Sequence, residues 1–276
     1  MTSKGFQLIK GERNSNIIIH VPHSSRSIPR DVRSDLLLND TELEFELDQI
    51  TDTKTDELAY RAIEKVSGEI PTPTLFVNNL SRFVIDPERF PDDREVMNKI
   101  GMGAVYRKTS SGAQLRSVGF DDRELLARYF FPYAESLAAV VGGILNQSGS
   151  VVLIDLHSYR AGQHRNAINE GQRRPAMCIG TDPAHTPKWL IDIFREEFGA
   201  IGDWFENQPY AGTYVPLQYY QKEPRVASIM METRADTFLD DDLQTHDGFE
   251  RVSLALAQAL IRINTGGPLN RRVAKG

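Results

Sequence analysis

The clearest pattern along the chain is a run of adjacent apolar residues, Ile17-Ile18-Ile19-His20-Val21, closed by Pro22. A β-branched run this short reads as a strand buried on both faces, and Pro22 has no N–H to continue the ladder. Similar runs follow at 74–77 (TLFV), 83–85 (FVI), 150–156 (around VVLID), 176–180 and 227–231 (ASIMM), each predicting a short strand. Helical spacing is most regular at 121–145, where Leu125, Leu126, Tyr129, Phe130, Tyr133 and Leu137 recur; Asp121 or Asp122 can cap its start, and Pro132 is a candidate kink. Polar helical stretches are expected across 31–67, with Gly68 as a stop. Further helices are expected at 189–198 and at 247–264, the last ended by Gly266-Gly267-Pro268. Residues 94–119 show no period and predict a long surface loop or insertion near the site. Strands alternating with helices predict an α/β fold, a mainly parallel mixed sheet with helices on both faces. No shift in composition divides the chain, so 1–276 reads as one domain.

Composition mostly excludes. The 276 residues carry 32 basic and 38 acidic side chains, a net charge of −6, so no basic face for nucleic acid is indicated. No apolar run is long enough for a membrane span, and the first ten residues lack the order of a signal peptide, which makes a reduced, cytoplasmic setting the expectation. The single cysteine, Cys178, rules out an intramolecular disulfide and any cysteine-rich metal module. A metal would have to be held by Asp, Glu and the six histidines.

Three of the apolar runs lead into a polar group: His23 after NIIIHVP, His157 after VVLID, and Glu232 after ASIMM. Sites in open parallel sheets collect at the carboxyl ends of the strands, and two imidazoles with one carboxylate and an open position are the usual donors of a catalytic zinc. Asp48, Asp52 and Asp56 follow closely at i, i+4 and i+8, on one face if the stretch is a single helix. Each group has a plainer reading: a strand-end histidine that merely hydrogen-bonds, a solvated acidic helix face, Glu232 paired with Arg234. His20, inside an apolar run, reads as a core histidine or one that supports a ligand. His164, His185 and His246 carry no signal. Arg82, Arg89 and Arg234 have guanidinium forks suited to a carboxylate or an oxyanion; the plainer reading makes them surface ion pairs with Asp86, Glu88 or Asp93.

The segments PHSS (22–25), ITD (50–52), SRFVIDPER (81–89), DLHSYR (155–160) and METR (231–234) resemble, in order and spacing, the N-formylglutamate amidohydrolase family. The likeness runs from about residue 15 to 260. That family is related in fold to zinc carboxypeptidases and aspartoacylases. The resemblance implies a zinc-carboxypeptidase-like fold and one catalytic Zn2+ held by His23, Asp52 and His157. Asp52 is taken rather than Asp56 because it matches when Leu58-Ala59 is set on the family's next apolar pair. It implies Glu232 as general base, Arg82 polarising the scissile carbonyl and Arg89 holding a substrate carboxylate, with Arg234 a further substrate-binding candidate. Asp155 is a candidate to orient a ligand, or a buried hydrogen-bonded acid. One position departs: the family's DLNR is DPER here, and an anionic Glu88 facing the substrate would repel a glutamate-type molecule.

The implied activity is zinc-dependent hydrolysis of a linear amide, N-formyl-L-glutamate or a similar N-acyl acidic amino acid. Another N-acyl amino acid hydrolase or carboxypeptidase-like enzyme of the same fold, or a non-catalytic binding protein, are the competing readings. The expected partner is a small carboxylate-bearing substrate, with neither nucleic acid nor membrane. Oligomeric state is not legible.

Overall fold

Five of the apolar runs do become strands, and they assemble with two more into one mixed sheet. The computed structural model describes residues 5–167 and 171–266. The strands are β1 (Phe6–Ile9), β2 (Ile17–Val21), β3 (Thr74–Asn78), β4 (Val151–Tyr159), β5 (Met177–Gly180), β6 (Trp204–Glu206) and β7 (Val226–Arg234), in spatial order β1-β3-β2-β4-β7-β5-β6. The pairs β3–β2, β2–β4, β4–β7 and β5–β6 are parallel; β1–β3 and β7–β5 are antiparallel. This is the predicted α/β architecture with a mixed, mainly parallel sheet.

Alternation along the strands divides the core in two. Ile17, Ile19, Val152, Ile154, Ala227 and Ile229 pack with α3 (Thr55–Lys65), α6 (Lys188–Phe198) and α7 (Gly248–Gly266). Ile18, Phe76, Val151, Leu153 and Val226 pack on the opposite face against α5 (Phe131–Ser148). Every residue of β2, β3 and β4 is buried, the condition under which a strand reads as a continuous apolar run.

Four local expectations change. The 31–67 stretch is three helices, α1 (Arg30–Ser34), α2 (Asp40–Ile50) and α3. Asp48, Asp52 and Asp56 therefore do not share a continuous helix face. Thr51 is extended and Lys54 left-handed (φ 67°), so Asp52 sits in the break, where Thr and Asp side chains compete with helical hydrogen bonds. Phe83-Val84-Ile85 is a buried turn, with Val84 N donating to Ser81 O at 2.8 Å; an apolar run that short cannot distinguish strand from turn.

The helix at 121–145 is continuous but begins as a short α4 (Arg123–Leu125) and widens into a π-helical stretch, Leu126–Phe130, just before Pro132. Pro132 has no N–H and its ring crowds the carbonyl four residues back; the wider turn accommodates both. Residues 94–119 hold only a 3₁₀ turn (Val96–Ile100) and isolated bridges, yet Met102, Val105, Tyr106, Leu115 and Arg116 are buried, so the segment packs into the molecule. Of the predicted stop after α7, Gly267 and Pro268 lie outside the described residues.

Asn78 joins this frame to the site. Its Nδ2 donates to Pro22 O at 2.9 Å and its Oδ1 accepts from Leu80 N at 3.1 Å, both within the buried interior. Asn78→Ala should leave those two partners unsatisfied and destabilise the fold by about 1–3 kcal/mol; equilibrium urea denaturation checks this.

Candidate active site

β2, β4 and β7 run parallel, so their carboxyl ends reach one edge of the sheet. His157 and Glu232 are register partners on β4 and β7, and His23 follows β2 after Pro22. A backbone bond from Asp52 N to His23 O (3.0 Å) draws the α2–α3 break against the end of β2. The result is a cleft of about 410 Å³ whose lining includes His23, Asp52, Arg82, Arg89, His157 and Glu232. Arg234 is not in the lining; it pairs with Asp236 at 2.7 Å. Asp48 lines the cleft but pairs with Arg26, whereas Asp56, in the first turn of α3, is outside the lining.

At the floor, His23 Nδ1 and His157 Nδ1 are 3.2 Å apart, and Asp52 Oδ2 lies 3.0 Å from the second and 3.6 Å from the first. The far nitrogens meet carboxylates. His23 Nε2 donates to Asp86 Oδ1 at 3.0 Å. His157 Nε2 lies 3.2 Å from Glu88 Oε2 and 3.3 Å from Asp155 Oδ1. For His23 this is the arrangement in which an acid holds the Nε2 proton and leaves the Nδ1 lone pair facing His157. For His157 the two acids supply charge near Nε2 without a hydrogen bond among the described residues. Among the described residues, His23–Glu88–His157 and His20–Glu88–Asp155 also bring possible metal donors together. The cluster can therefore hold a cation, through His23 and His157 with a carboxylate on either side of the rings.

The electrostatics agree. Burial opposes charge on Asp52, but hydrogen bonds from His157 and His23 outweigh it and hold its carboxyl well below the usual range. Burial disfavours charged His157 too, yet Glu88, Asp155 and Asp52 raise its pKa well above the ordinary value. Positive charge is thus favoured between the rings. Burial pushes Glu232 up to about 7; His157 and Arg82 oppose the rise and Asp52 adds to it, and Glu232 Oε2 has no hydrogen-bond partner.

His20 matches its expected reading as a core histidine, while Glu88 and Asp86 behave differently from theirs. His20 is satisfied on both nitrogens, by Asp155 Oδ1 (2.8 Å) and the Tyr133 hydroxyl (2.6 Å). Glu88 faces the far nitrogens of His23 and His157 and comes within 3.6 Å of His20 Nδ1, so it reaches beneath the imidazoles; burial and the nearby Asp155 raise its pKa and weaken the repulsion expected of an anion there. Asp86, read only as a surface ion-pair partner, is fully buried and accepts from Arg82 Nε and Nη2 (3.1 and 3.0 Å) and from the Tyr106 hydroxyl (3.1 Å), with Arg89 Nε at 3.4 Å. Arg160, the last residue of the DLHSYR segment but given no role, His164, set aside as carrying no signal, and Arg174, which was missed, also line the cleft. His164 and Arg174 stand in a polar stretch with no periodicity to mark them.

The sheet edge, the cleft and its donors are those of a hydrolase of the amide-cleaving class. The chain belongs to the N-formylglutamate amidohydrolase family, whose model matches residues 15–239. Its fold is similar to that of the N-formylglutamate amidohydrolase from Ralstonia eutropha JMP134 (20% identity, 94% of this chain and 97% of that one, TM-score 0.76). It is also similar to the gene product Atu2144 from Agrobacterium tumefaciens (17% identity, 99% of this chain and 97% of that one, TM-score 0.66). No curated protein matches the chain significantly. Among the described residues, no helix is long and apolar enough to cross a membrane.

Asp86→Asn should strand Arg82 and Arg89 beside a neutral amide. A loss of about 3–5 kcal/mol is expected, as for a broken buried ion pair, measured by denaturant unfolding in the presence of a chelator.

Proposed function

We propose that this protein is a zinc-dependent amidohydrolase that cleaves the amide bond of N-formyl-L-glutamate, or of a similar N-acyl acidic amino acid, to release formate (or the corresponding acid) and the amino acid. The observation that carries this reading is the triangle of His23 Nδ1, His157 Nδ1 and Asp52 Oδ2, 3.0–3.6 Å on a side, beside Glu232, whose Oε2 has no hydrogen-bond partner among the described residues. Donors on a tetrahedral zinc at about 2.0–2.1 Å stand about 3.3 Å apart, so the triangle fits that ion, and two imidazoles with one carboxylate favour zinc over magnesium or calcium. His23, Asp52 and His157 are the proposed ligands. Glu88 lies on the Nε2 side of the rings, where it supports them.

When bound, zinc supplies Lewis acidity toward the amide carbonyl and lowers the pKa of water to about 7. Glu232 takes the proton from the attacking water and returns it to the leaving amine; its elevated pKa suits both halves of that task. Arg82 spends Nε and Nη2 on Asp86, and Nη1, in a long 3.4 Å bond to Ile50 O, turns to the oxygen of the polarised carbonyl. Arg89, 28% exposed at its side chain, meets a substrate carboxylate. Asp86 and Asp155 hold the imidazoles in register. We place the enzyme in the cytoplasm, in keeping with a chain whose single cysteine, Cys178, is buried and free.

Hydrolysis of N-formyl-L-glutamate should be abolished by a chelator and restored by added Zn2+. His157→Ala is expected to lose metal and activity together. Glu232→Gln should keep stoichiometric zinc by elemental analysis and lose about 10²–10⁴-fold in kcat. Near-normal kcat in Glu232→Gln would remove it from the role of base. Activity on other acyl amino acids, with none on formylglutamate, would move the assignment to a sister specificity.

A further inference from the structure

The sheet face that packs on α5 is apolar until it nears the catalytic edge. Ile18 and Leu153 lie in that core, and two residues further along β2 and β4 stand His20 and Asp155, register partners on the same face. α5 meets this face with Tyr133, Leu137, Val141 and Leu145, spaced four residues apart and all buried. The first of them, Tyr133, carries a hydroxyl, and it meets the sheet where the sheet turns polar. Its ring stands edge-on to Phe6 and Phe76, with centroids 5.8 and 5.0 Å away, which fixes where the hydroxyl points.

These polar groups form a chain. The Tyr133 hydroxyl lies 2.6 Å from His20 Nε2, and His20 Nδ1 lies 2.8 Å from Asp155 Oδ1. Burial opposes charge on Asp155, but His157 and His20 outweigh it and keep the group a carboxylate. A carboxylate only accepts, so the His20 proton sits on Nδ1 and the tyrosine donates to Nε2. Asp155 Oδ2 accepts from Tyr214 N at 3.1 Å, which leaves Oδ1 held 3.3 Å from His157 Nε2. His157 is a proposed zinc ligand through its other nitrogen, and a carboxylate beside Nε2 strengthens the ring as a donor. Packing alone would be met by a phenyl ring and an aliphatic side chain in place of Tyr133 and His20. Both side chains are buried, so bulk water does not replace a partner that is lost.

We propose that Tyr133 and His20 are positioning residues of the metal centre, fixing Asp155 against His157 and so setting how tightly zinc is held. This rests on the zinc reading of the cleft floor, and it is read by metal affinity, without turnover. Competition with a chromophoric chelator gives the zinc dissociation constant of the protein and its variants. His20→Leu should weaken binding by about 10–100-fold, the usual effect of losing a partner behind a ligating histidine. His20→Asn, whose amide N–H can stand in for Nδ1–H, should recover most of that loss. Tyr133→Phe removes one oxygen from the same ring and should weaken zinc binding by about three- to tenfold. Val141→Ala thins the same helix contact without touching the chain; it should lower the melting temperature and leave zinc affinity at the wild-type value. Wild-type affinity in both Tyr133→Phe and His20→Leu, or a loss in Val141→Ala or His20→Asn as large as theirs, would overturn the positioning role and leave the metal reading intact. Should His20→Leu fail to fold, the comparison of Tyr133→Phe with Val141→Ala decides alone. No zinc bound by the wild type would sink the metal reading and this role together.

Discussion

Asp86 is the group on which the rest of the site depends. A fully buried carboxylate must find partners for its charge, and this one draws them from separate parts of the chain: His23 after β2, Arg82 and Arg89 on its own turn, and Tyr106 from the 94–119 segment. Through them it fixes which nitrogen of His23 faces the cleft, and it brings positive charge to the wall. The same acid thus orients one imidazole and anchors two arginines, which ties the geometry of the floor to that of the substrate-facing side.

Charge in this cleft is layered. Asp52, Asp86, Glu88 and Asp155 gather around the imidazoles at the floor and favour a cation there. Arg82, Arg89, Arg160 and Arg174 line the same cleft and bring positive charge to it. The net charge of −6 anticipates neither layer, because net charge averages over a surface and a site is built from a few aimed groups.

The buried strands were legible because parallel strands covered on both faces have no polar side to interrupt them; the runs at 17–21, 150–156 and 227–231 correspond to β2, β4 and β7. The same signal misled at 83–85, where three buried side chains sit on a turn instead of a ladder. His23, His157 and Glu232 were legible as polar groups at the ends of apolar runs. Asp86 passed for a surface partner because its burial is created by Arg82, Arg89 and Tyr106 closing over it. Arg174 was not legible, since nothing local separates an arginine aimed by two tyrosines from one in solvent.

By itself the sequence determined the alternating α/β plan, the strands whose ends carry chemistry, and the family to which those motifs belong. Local periodicity and residue type are enough for that, because a strand's burial and the polar group at its end lie within a few residues of each other. Only the tertiary structure decided that Asp52 sits in a break between helices, that Glu88 turns beneath the imidazoles, and that Asp86 is buried among two arginines and a tyrosine. Those outcomes depend on which distant segments meet, and burial and charge pairing exist only once they have met.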